Sequence, residues 1–131
     1  MKINILGGGI AGLASAIFLS KQGHEVTIVE RNDYINELGA GIQITPNAIR
    51  VLDALGIRND FINLAEQSTS LSIRRAENSA LLQKVSMHRL VKDKKVGFYH
   101  LHRHKLLNLL KDNAIKNLSL IHISEPTRRA L

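Results

Sequence analysis

The chain has 131 residues, 44% of them hydrophobic and 22% charged, a balance that predicts one folded domain and excludes a disordered or fibrous protein. It contains no cysteine, which excludes a disulfide scaffold, a thiolate metal site and a cysteine nucleophile, and a cytoplasmic location is the simplest expectation. The net charge of +7 is uneven, since residues 1–73 sum to −2 and residues 74–116 to +8. The basic part carries only two aromatic side chains that could stack on bases, so we expect no nucleic-acid partner.

The amino-terminal segment predicts a strand, a tight turn, a helix and a second strand. Ile3 and Ile5 alternate before a glycine-rich turn, and from Ile10 the apolar residues recur at the helical spacing i, i+3, i+4 and i+7. Gly23 is placed to end this helix, and residues 25–30 predict the second strand, which completes a βαβ unit. The glycines argue against a signal peptide, and no apolar run reaches the roughly 20 residues that span a bilayer. The sequence therefore predicts a soluble protein without a membrane partner.

A helix and a short helical turn are predicted next. Residues 39–44 (GAGIQI) are too glycine-rich for an ordinary strand, and their glycines suit close approach of the backbone to another group. Thr45 is placed as the N-cap and Pro46 at the first helical position, and Gly56 ends the pattern. The expected buried face of this helix consists of Ala48, Val51, Leu52 and Leu55. A helical turn is expected near residues 60–65.

From Ser68 onward, apolar residues recur at about every second position, as in β-strands. This spacing predicts an antiparallel β insertion. The expected elements are a strand with Leu71 and Ile73 on one face, a turn at residues 77–79, a strand through Leu81, Val85 and Met87, a turn at residues 92–95 and a strand at residues 96–102. Arg103 then opens a helix. Its expected buried face comprises Leu106, Leu107, Leu109, Leu110 and Ala114.

Residues 7–12 (GGGIAG) satisfy the phosphate-loop pattern G-x-G-x-x-G between a predicted strand and a predicted helix. In this pattern Gly7 makes the turn out of the strand, Gly9 lets the backbone approach a pyrophosphate, and Gly12 lets the helix pack closely on the sheet. Phosphates would then meet N–H groups and the positive end of the helix dipole. The alternative is that these glycines serve only the turn.

An acidic residue accompanies the loop. Glu30 ends the second predicted strand eighteen residues after Gly12, where a carboxylate accepts hydrogen bonds from a ribose. Its negative charge disfavours a ribose 2′-phosphate. FAD and NAD are therefore the candidate ligands of this site, and NADP is not.

Three alternating histidines, His100, His102 and His104, raise the alternative of a metal site. Arg103 lies between two of them, no acidic or cysteine ligand adjoins, and the start of a helix at Arg103 would break the alternation. We therefore expect a polar strand end and no metal.

Four segments carry a family resemblance: residues 5–12, 29–31, 38–48 and 101–106. Together they resemble the FAD-dependent aromatic hydroxylases, the single-component flavoprotein monooxygenases that include salicylate, hydroxybenzoate and hydroxynicotinate hydroxylases. The resemblance covers about residues 2–117, the amino-terminal part of a family member. It implies a Rossmann-like, doubly wound α/β FAD-binding domain, incomplete here, with an antiparallel β insertion.

The resemblance implies cofactor contacts by position. Ala11 and Gly12 would contact the pyrophosphate of FAD, and Glu30 the adenosine ribose. Arg31 would lie on the adenine side, although it is equally placed to point into solvent. Arg103 would meet the FAD phosphates from the other flank.

The segment at residues 39–44 would pass near the isoalloxazine ring and the substrate, where some relatives carry a catalytic histidine. This chain has Gln43 there, and because a glutamine cannot act as a general base, we assign it a hydrogen-bonding role and name no catalytic residue. The resemblance implies that NAD(P)H reduces FAD and that dioxygen supplies an oxygen atom to a small aromatic substrate. The alternatives are another FAD- or NAD-dependent oxidoreductase and a non-catalytic nucleotide-binding fragment.

Residues 118–131 differ in character from the rest. The peptide at residues 118–128 (LSLIHISEPTR) resembles the in-frame translation of a transposase adapter used in sequencing libraries. We expect residues 1–117 to be the amino-terminal part of the FAD-binding domain and residues 118–131 not to be native. The alternative is a genuine third strand at residues 118–123, which alternate acceptably. If the segment is foreign, we expect the chain alone to bind FAD weakly and to be inactive.

Overall fold

The computed structural model describes residues 1–31, 40–91, 96–117 and 120–123. Within them the chain forms eight strands and five helices. In chain order they are β1 (Lys2–Leu6), α1 (Ile10–Lys21), β2 (Glu25–Glu30), β3 (Gly41–Ile44), α2 (Pro46–Ala54), α3 (Arg58–Leu64), β4 (Glu66–Gln67), β5 (Ser70–Arg74), β6 (Leu81–Ser86), α4 (Met87–Leu90), β7 (Tyr99–His102), α5 (Arg103–Asn117) and β8 (Leu120–Ile123). The chain divides into two compact units: the first unit is Met1–Ala40 with His102–Leu131, and the second unit is Gly41–Leu101.

The first unit is built on a parallel sheet with the strand order β1-β2-β8. β1 pairs with β2 in the register that sets Lys2 opposite Glu25 and Leu6 opposite Val29. The helix α1 connects the two strands, and Gly23, at a φ of +82°, follows its C-cap as the sequence predicts. The predicted βαβ unit is confirmed, and with it an α/β fold whose sheet is open.

The core of the first unit is aliphatic. α1 packs against β2 and α5, and Leu13, Ala16 and Ile17 on α1 are fully buried. The predicted face of α5 is confirmed. Its buried residues are Leu106, Leu107, Leu109, Leu110 and Ala114. Each buried leucine contributes about 1.5–3 kcal/mol to folding through the apolar surface that it removes from water.

β8 continues this sheet beside β2, with Thr27 opposite Leu120 and Glu30 opposite Ile123. A strand in this position is what the alternative interpretation of residues 118–123 predicts. An alternating apolar peptide pairs with an open sheet edge whatever its origin, so the expected origin of residues 118–131 stays a prediction. Residues 118, 119 and 124–131 lie outside the described part of the chain.

The second unit contains a sheet of order β3-β7-β4, a separate β5–β6 hairpin and three helices, α2, α3 and α4. β4 pairs with β7, and β5 with β6, in both cases antiparallel, which confirms the predicted antiparallel insertion. Phe61 on α3 meets Tyr99 on β7 edge to face, with ring centroids 5.6 Å apart and planes at 76°. The helical turn predicted near residues 60–65 is the helix α3.

The structure corrects the prediction for residues 39–44, of which 40–44 are described. Gly41–Ile44 forms the strand β3, although we expected the glycines to prevent an ordinary strand. β3 pairs with β7, and Ile44 is buried. Tertiary pairing and burial override the weak strand propensity of glycine here.

The buried face of α2 also differs from the prediction. The helix begins and ends as expected, but its buried residues are Ile49 and Leu52, with Leu55 at the C-cap, while Val51 is 53% exposed. The apolar residues of this segment define two overlapping helix faces, one that contains Val51 and one that contains Ile49. Packing buries the face with Ile49, which has the larger side chain.

Two strand boundaries are corrected as well. β7 begins at Tyr99 and not at residue 96, because Gly97 weakens the start of the predicted strand. Met87 does not continue β6 but begins the short helix α4, and its N–H donates to the carbonyl of Thr69 at 2.9 Å. The predicted turn at residues 92–95 lies outside the described residues. No helix in the described ranges is both long and apolar enough to cross a membrane.

Candidate functional site

The glycine loop begins directly after β1. Gly7 has a φ of +104°, a conformation that other residues rarely adopt, and its N–H donates to the carbonyl of Val29 at 2.8 Å. The chain therefore leaves β1 while it is still bonded to β2, and residues 8–12 lie at the carboxyl end of both strands. In parallel α/β sheets this is the edge where ligands bind.

Gly12 lies where no side chain fits. A Cβ on this residue would overlap the carbonyl oxygen of Gly7 and would lie 3.4 Å from Cγ2 of Ile5. Because the overlapped oxygen belongs to the backbone, rotation of a side chain cannot relieve the clash. The first turn of α1 thus packs directly on the loop and on β1.

Gly9 and the amino terminus of α1 leave an open position beside the loop. Gly9 is the N-cap residue, and its carbonyl accepts a helical hydrogen bond from the Leu13 N–H at 2.9 Å. No side chain caps this helix end, and its first turn carries no acid. A Cβ on Gly9 would meet no atom of the described residues within 4 Å. The uncapped N–H groups, the positive helix end and the open space together suit a phosphate.

Glu30 connects the loop to the end of β2. Its Oε2 accepts a hydrogen bond from the N–H of Gly8 at 2.6 Å, and Gly8 is buried. The parallel register explains this contact, because Leu6, the last residue of β1, lies opposite Val29, and the loop that follows therefore passes Glu30 at the end of β2. Sequence reasoning placed an acid here and missed its bond to the loop. Alignment of the two predicted strands in parallel would have indicated it.

The other predicted site residues lie in different places. Ala11, in the first turn of α1, and Arg31, just after β2, are exposed. Arg103 is the first residue of α5, is half-buried, and donates its backbone N–H to the carbonyl of Ala40 at 3.0 Å. These residues belong to the first unit together with the loop, whereas Gln43 is exposed on β3 and belongs to the second unit.

The histidines lie where the strand β7 ends and the helix α5 begins. His102 ends β7 and His104 lies in the first turn of α5, and their rings stack with centroids 5.5 Å apart and planes at 28°. In the part of the chain that the structure describes, no group of three His, Cys, Asp or Glu side chains could hold a metal ion.

Comparison with known families and proteins gives one consistent result. The FAD binding domain family matches residues 1–122. A 3-hydroxybenzoate 6-hydroxylase from Klebsiella oxytoca is 49% identical over 57 residues, which are 44% of this chain and 14% of that protein. The FAD-dependent monooxygenase atnA from Arthrinium sp is 32% identical over 130 residues, 98% of this chain and 17% of that protein. The chain thus spans less than a quarter of the length of these relatives.

Solved structures of two other proteins share the fold of this chain. The tetrameric form of 2-methyl-3-hydroxypyridine-5-carboxylic acid oxygenase superimposes with a TM-score of 0.81 at 24% identity, over 93% of this chain and 31% of that one. The p-nitrophenol 4-monooxygenase PnpA from Pseudomonas putida DLL-E4 gives a TM-score of 0.82 at 22% identity, over 91% of this chain and 30% of that one. At these identities the likeness establishes the fold.

The residues of the loop fit the adenosine diphosphate half of FAD. The space beside Gly9 would take a phosphate, the uncapped end of α1 would donate N–H groups to it, and Glu30 provides a carboxylate at the loop. The family match covers nearly the whole chain and includes both the loop and Glu30. The chain therefore belongs to the FAD binding domain family, and its relatives include a 3-hydroxybenzoate 6-hydroxylase and an FAD-dependent monooxygenase.

Proposed function

We propose that the chain is the FAD-binding part of an NAD(P)H-dependent flavin monooxygenase that hydroxylates a small aromatic substrate with dioxygen. The observation that carries this proposal is the loop at residues 7–12, in which an uncapped helix end and the Gly8–Glu30 hydrogen bond lie side by side. The relatives support the substrate class, since they include hydroxylases or monooxygenases of 3-hydroxybenzoate and of 3-amino-4-hydroxybenzoate.

In this proposal the loop and its acid bind the adenosine end of FAD. Gly7 shapes the turn, and Gly9 leaves room for the pyrophosphate, whose oxygens accept hydrogen bonds from the amides of Ala11 and Gly12. Glu30 accepts a hydrogen bond from a ribose hydroxyl while its charge repels a 2′-phosphate, so the site selects FAD over NADP.

Three further residues have roles towards the same cofactor. Arg31 covers the adenine side, and Arg103 brings a fixed positive charge to the phosphates. Gln43 offers its amide as a hydrogen-bonding group towards the isoalloxazine ring. FAD supplies the redox and oxygen chemistry when bound, and the protein supplies binding, orientation and exclusion of water. A nicotinamide electron donor is an intracellular metabolite, which supports the expected cytoplasmic location.

We also propose that residues 118–131 derive from a sequencing adapter. The support is a match over residues 118–128 to one specific peptide string. The test is to amplify the source DNA and read past the codon for Asn117. A frame that diverges from the sequence at this point supports the proposal, and a gene that encodes residues 118–131 contradicts it.

The gene recovered in that way also tests the function. The purified parent protein is expected to be yellow with bound FAD and to oxidise NADH or NADPH faster when 3-hydroxybenzoate or another hydroxybenzoate is added, with a hydroxylated product. The 131-residue chain alone is expected to show no such turnover.

A matched pair of variants controls this experiment in the parent protein. Gly12→Ala is expected to abolish flavin binding, because its Cβ overlaps the Gly7 carbonyl, and Gly23→Ala is expected to retain the flavin. A flavoprotein whose oxidation of NAD(P)H responds to none of a panel of aromatic acids would contradict the hydroxylase assignment and favour another oxidoreductase.

A further inference from the structure

One face of the β5–β6 hairpin in the second unit carries a group of polar side chains. In its register Ser70 lies opposite Ser86, and Ser72 opposite Lys84. Because side chains alternate along a strand, these four residues share one face of the hairpin. The opposite face carries Leu71, Ile73 and Val85, together with Gln83, which lies opposite Ile73.

The helix α4 extends the polar face. Met87, which is buried, donates its N–H to the carbonyl of Thr69 at 2.9 Å and so holds the start of α4 against the start of β5. This contact places His88 and Arg89 beside the hairpin. Together with the hairpin they form a surface cavity of about 500 Å³, lined by Thr69, Ser70, Lys84, Ser86, His88 and Arg89.

Every residue that lines the cavity has a side chain that can donate a hydrogen bond. Three lining residues carry hydroxyl groups, two carry cationic groups, and one carries an imidazole, so each can donate a hydrogen bond. No carboxylate lines the cavity, and among the described residues neither Lys84 nor Arg89 has a salt-bridge partner. Two fixed positive charges match a dianion, and the donors exceed what the two oxygens of a carboxylate can accept.

We propose that this cavity binds a small molecule through a phosphate group. Lys84 and Arg89 balance the two negative charges, and the hydroxyl groups of Ser70 and Ser86 donate to the remaining phosphate oxygens. The cavity is open to solvent, so an organic group attached to the phosphate can extend out of it. This site is separate from the glycine loop, because its lining lies wholly within the second unit.

Titration of the isotope-labelled 131-residue chain, followed by amide resonances in NMR, tests the proposal. Inorganic phosphate and phenyl phosphate are the probes, with acetate for comparison, all at constant ionic strength. We expect saturable shifts at Ser70, Ser86 and Arg89, and at least about tenfold weaker binding of acetate. Tighter binding of phenyl phosphate identifies a phosphate ester as the source, and tighter binding of inorganic phosphate identifies the free ion.

Variants that remove one positive charge distinguish a specific phosphate site from general electrostatic attraction to a basic surface. Lys84→Gln and Arg89→Gln are each expected to weaken phosphate binding about tenfold. Arg75→Gln removes the same charge from the same hairpin outside the cavity, and it should change the affinity less than about twofold. All three side chains are exposed, so folding should be retained. Shifts confined to residues 7–12, equal binding of acetate, or an equal loss in Arg75→Gln would overturn the proposal.

Discussion

The two compact units present their surfaces to ligands in different ways. In the first unit, backbone atoms define the loop: Gly7 requires a φ of +104°, and a Cβ on Gly12 would overlap the Gly7 carbonyl. In the second unit, the hairpin presents side chains, and even Leu71 and Ile73 on its apolar face are 51% and 46% exposed. Few substitutions are compatible with a binding surface formed by backbone atoms, because the backbone conformation itself must be kept. Many substitutions are compatible with a surface formed by exposed side chains. Substitutions should therefore have the larger effects in the first unit.

The largest effect is expected for Gly12→Ala. Its methyl group overlaps a backbone oxygen, so the loop or α1 must shift, and we expect the free energy of unfolding to fall by about 3 kcal/mol. Binding of adenosine nucleotides should be lost with it. Denaturant unfolding followed by circular dichroism and titration with ADP measure the two effects.

Gly9→Ala is the matched control for that variant. Its methyl group enters open space at an ordinary φ of −75°, so the loss of stability should not exceed about 1 kcal/mol. Nucleotide binding should still weaken, because the methyl group occupies the space proposed for the phosphate. Equal unfolding free energies in the two variants would contradict the difference between the two glycines.

The next largest effect is expected for Glu30→Ala. The substitution removes a charge-assisted hydrogen bond to the Gly8 N–H, so the unfolding free energy should fall by about 1.5–3 kcal/mol. Hydrogen exchange at the Gly8 amide should accelerate accordingly. Glu30→Gln keeps an acceptor oxygen and should lose less; an unchanged exchange rate in both variants would show that the bond does not stabilise the loop.

A smaller effect is expected for Gly23→Ala. Gly23 follows the C-cap of α1 at a φ of +82°, where an alanine is strained, and the expected loss is about 1 kcal/mol. Nucleotide binding should be unchanged, because this residue lies at the opposite end of α1 from the loop. Loss of ADP affinity in this variant would mean that destabilisation of α1 alone accounts for the effects at the loop.

The smallest effects are expected on the hairpin. Leu71→Ser and Ile73→Thr should each change the unfolding free energy by no more than about 0.5 kcal/mol, because about half of each side chain is already in water. Thermal unfolding of both variants checks this. A loss above about 2 kcal/mol would show that this face is covered in solution and would remove the contrast between the two units.

Local signals in the sequence predict the first unit well. The helix α5 repeats its apolar residues over several turns, and its buried face follows from the spacing alone. In α1 the same spacing correctly predicts the burial of Leu13 and Ile17, but it misses Ala16. Gly7 and Gly23 occupy positions that require a positive φ, which few other residues adopt. Such features depend on a few neighbouring residues and need no knowledge of the tertiary structure.

The structural features that the sequence did not predict depend on contacts between residues that are distant in sequence. The bond between Gly8 and Glu30 joins residues 22 apart and follows only from the register of β1 and β2. The face of α2 is ambiguous in sequence, and packing decides between Ile49 and Val51. The polar cavity exists because α4 is held against β5, which no period in the sequence indicates.

The most direct test of the central claim is a comparison of two nucleotides on the 131-residue chain by NMR. ADP is expected to shift the amide resonances of residues 8–12, and adenosine 2′,5′-bisphosphate to bind there more weakly, because the Glu30 carboxylate repels a 2′-phosphate. Glu30→Gln should reduce this discrimination. Unchanged loop resonances with ADP, or tighter binding of the 2′-phosphorylated nucleotide at the loop, would contradict the assignment of residues 7–12 and Glu30 to the adenosine end of FAD.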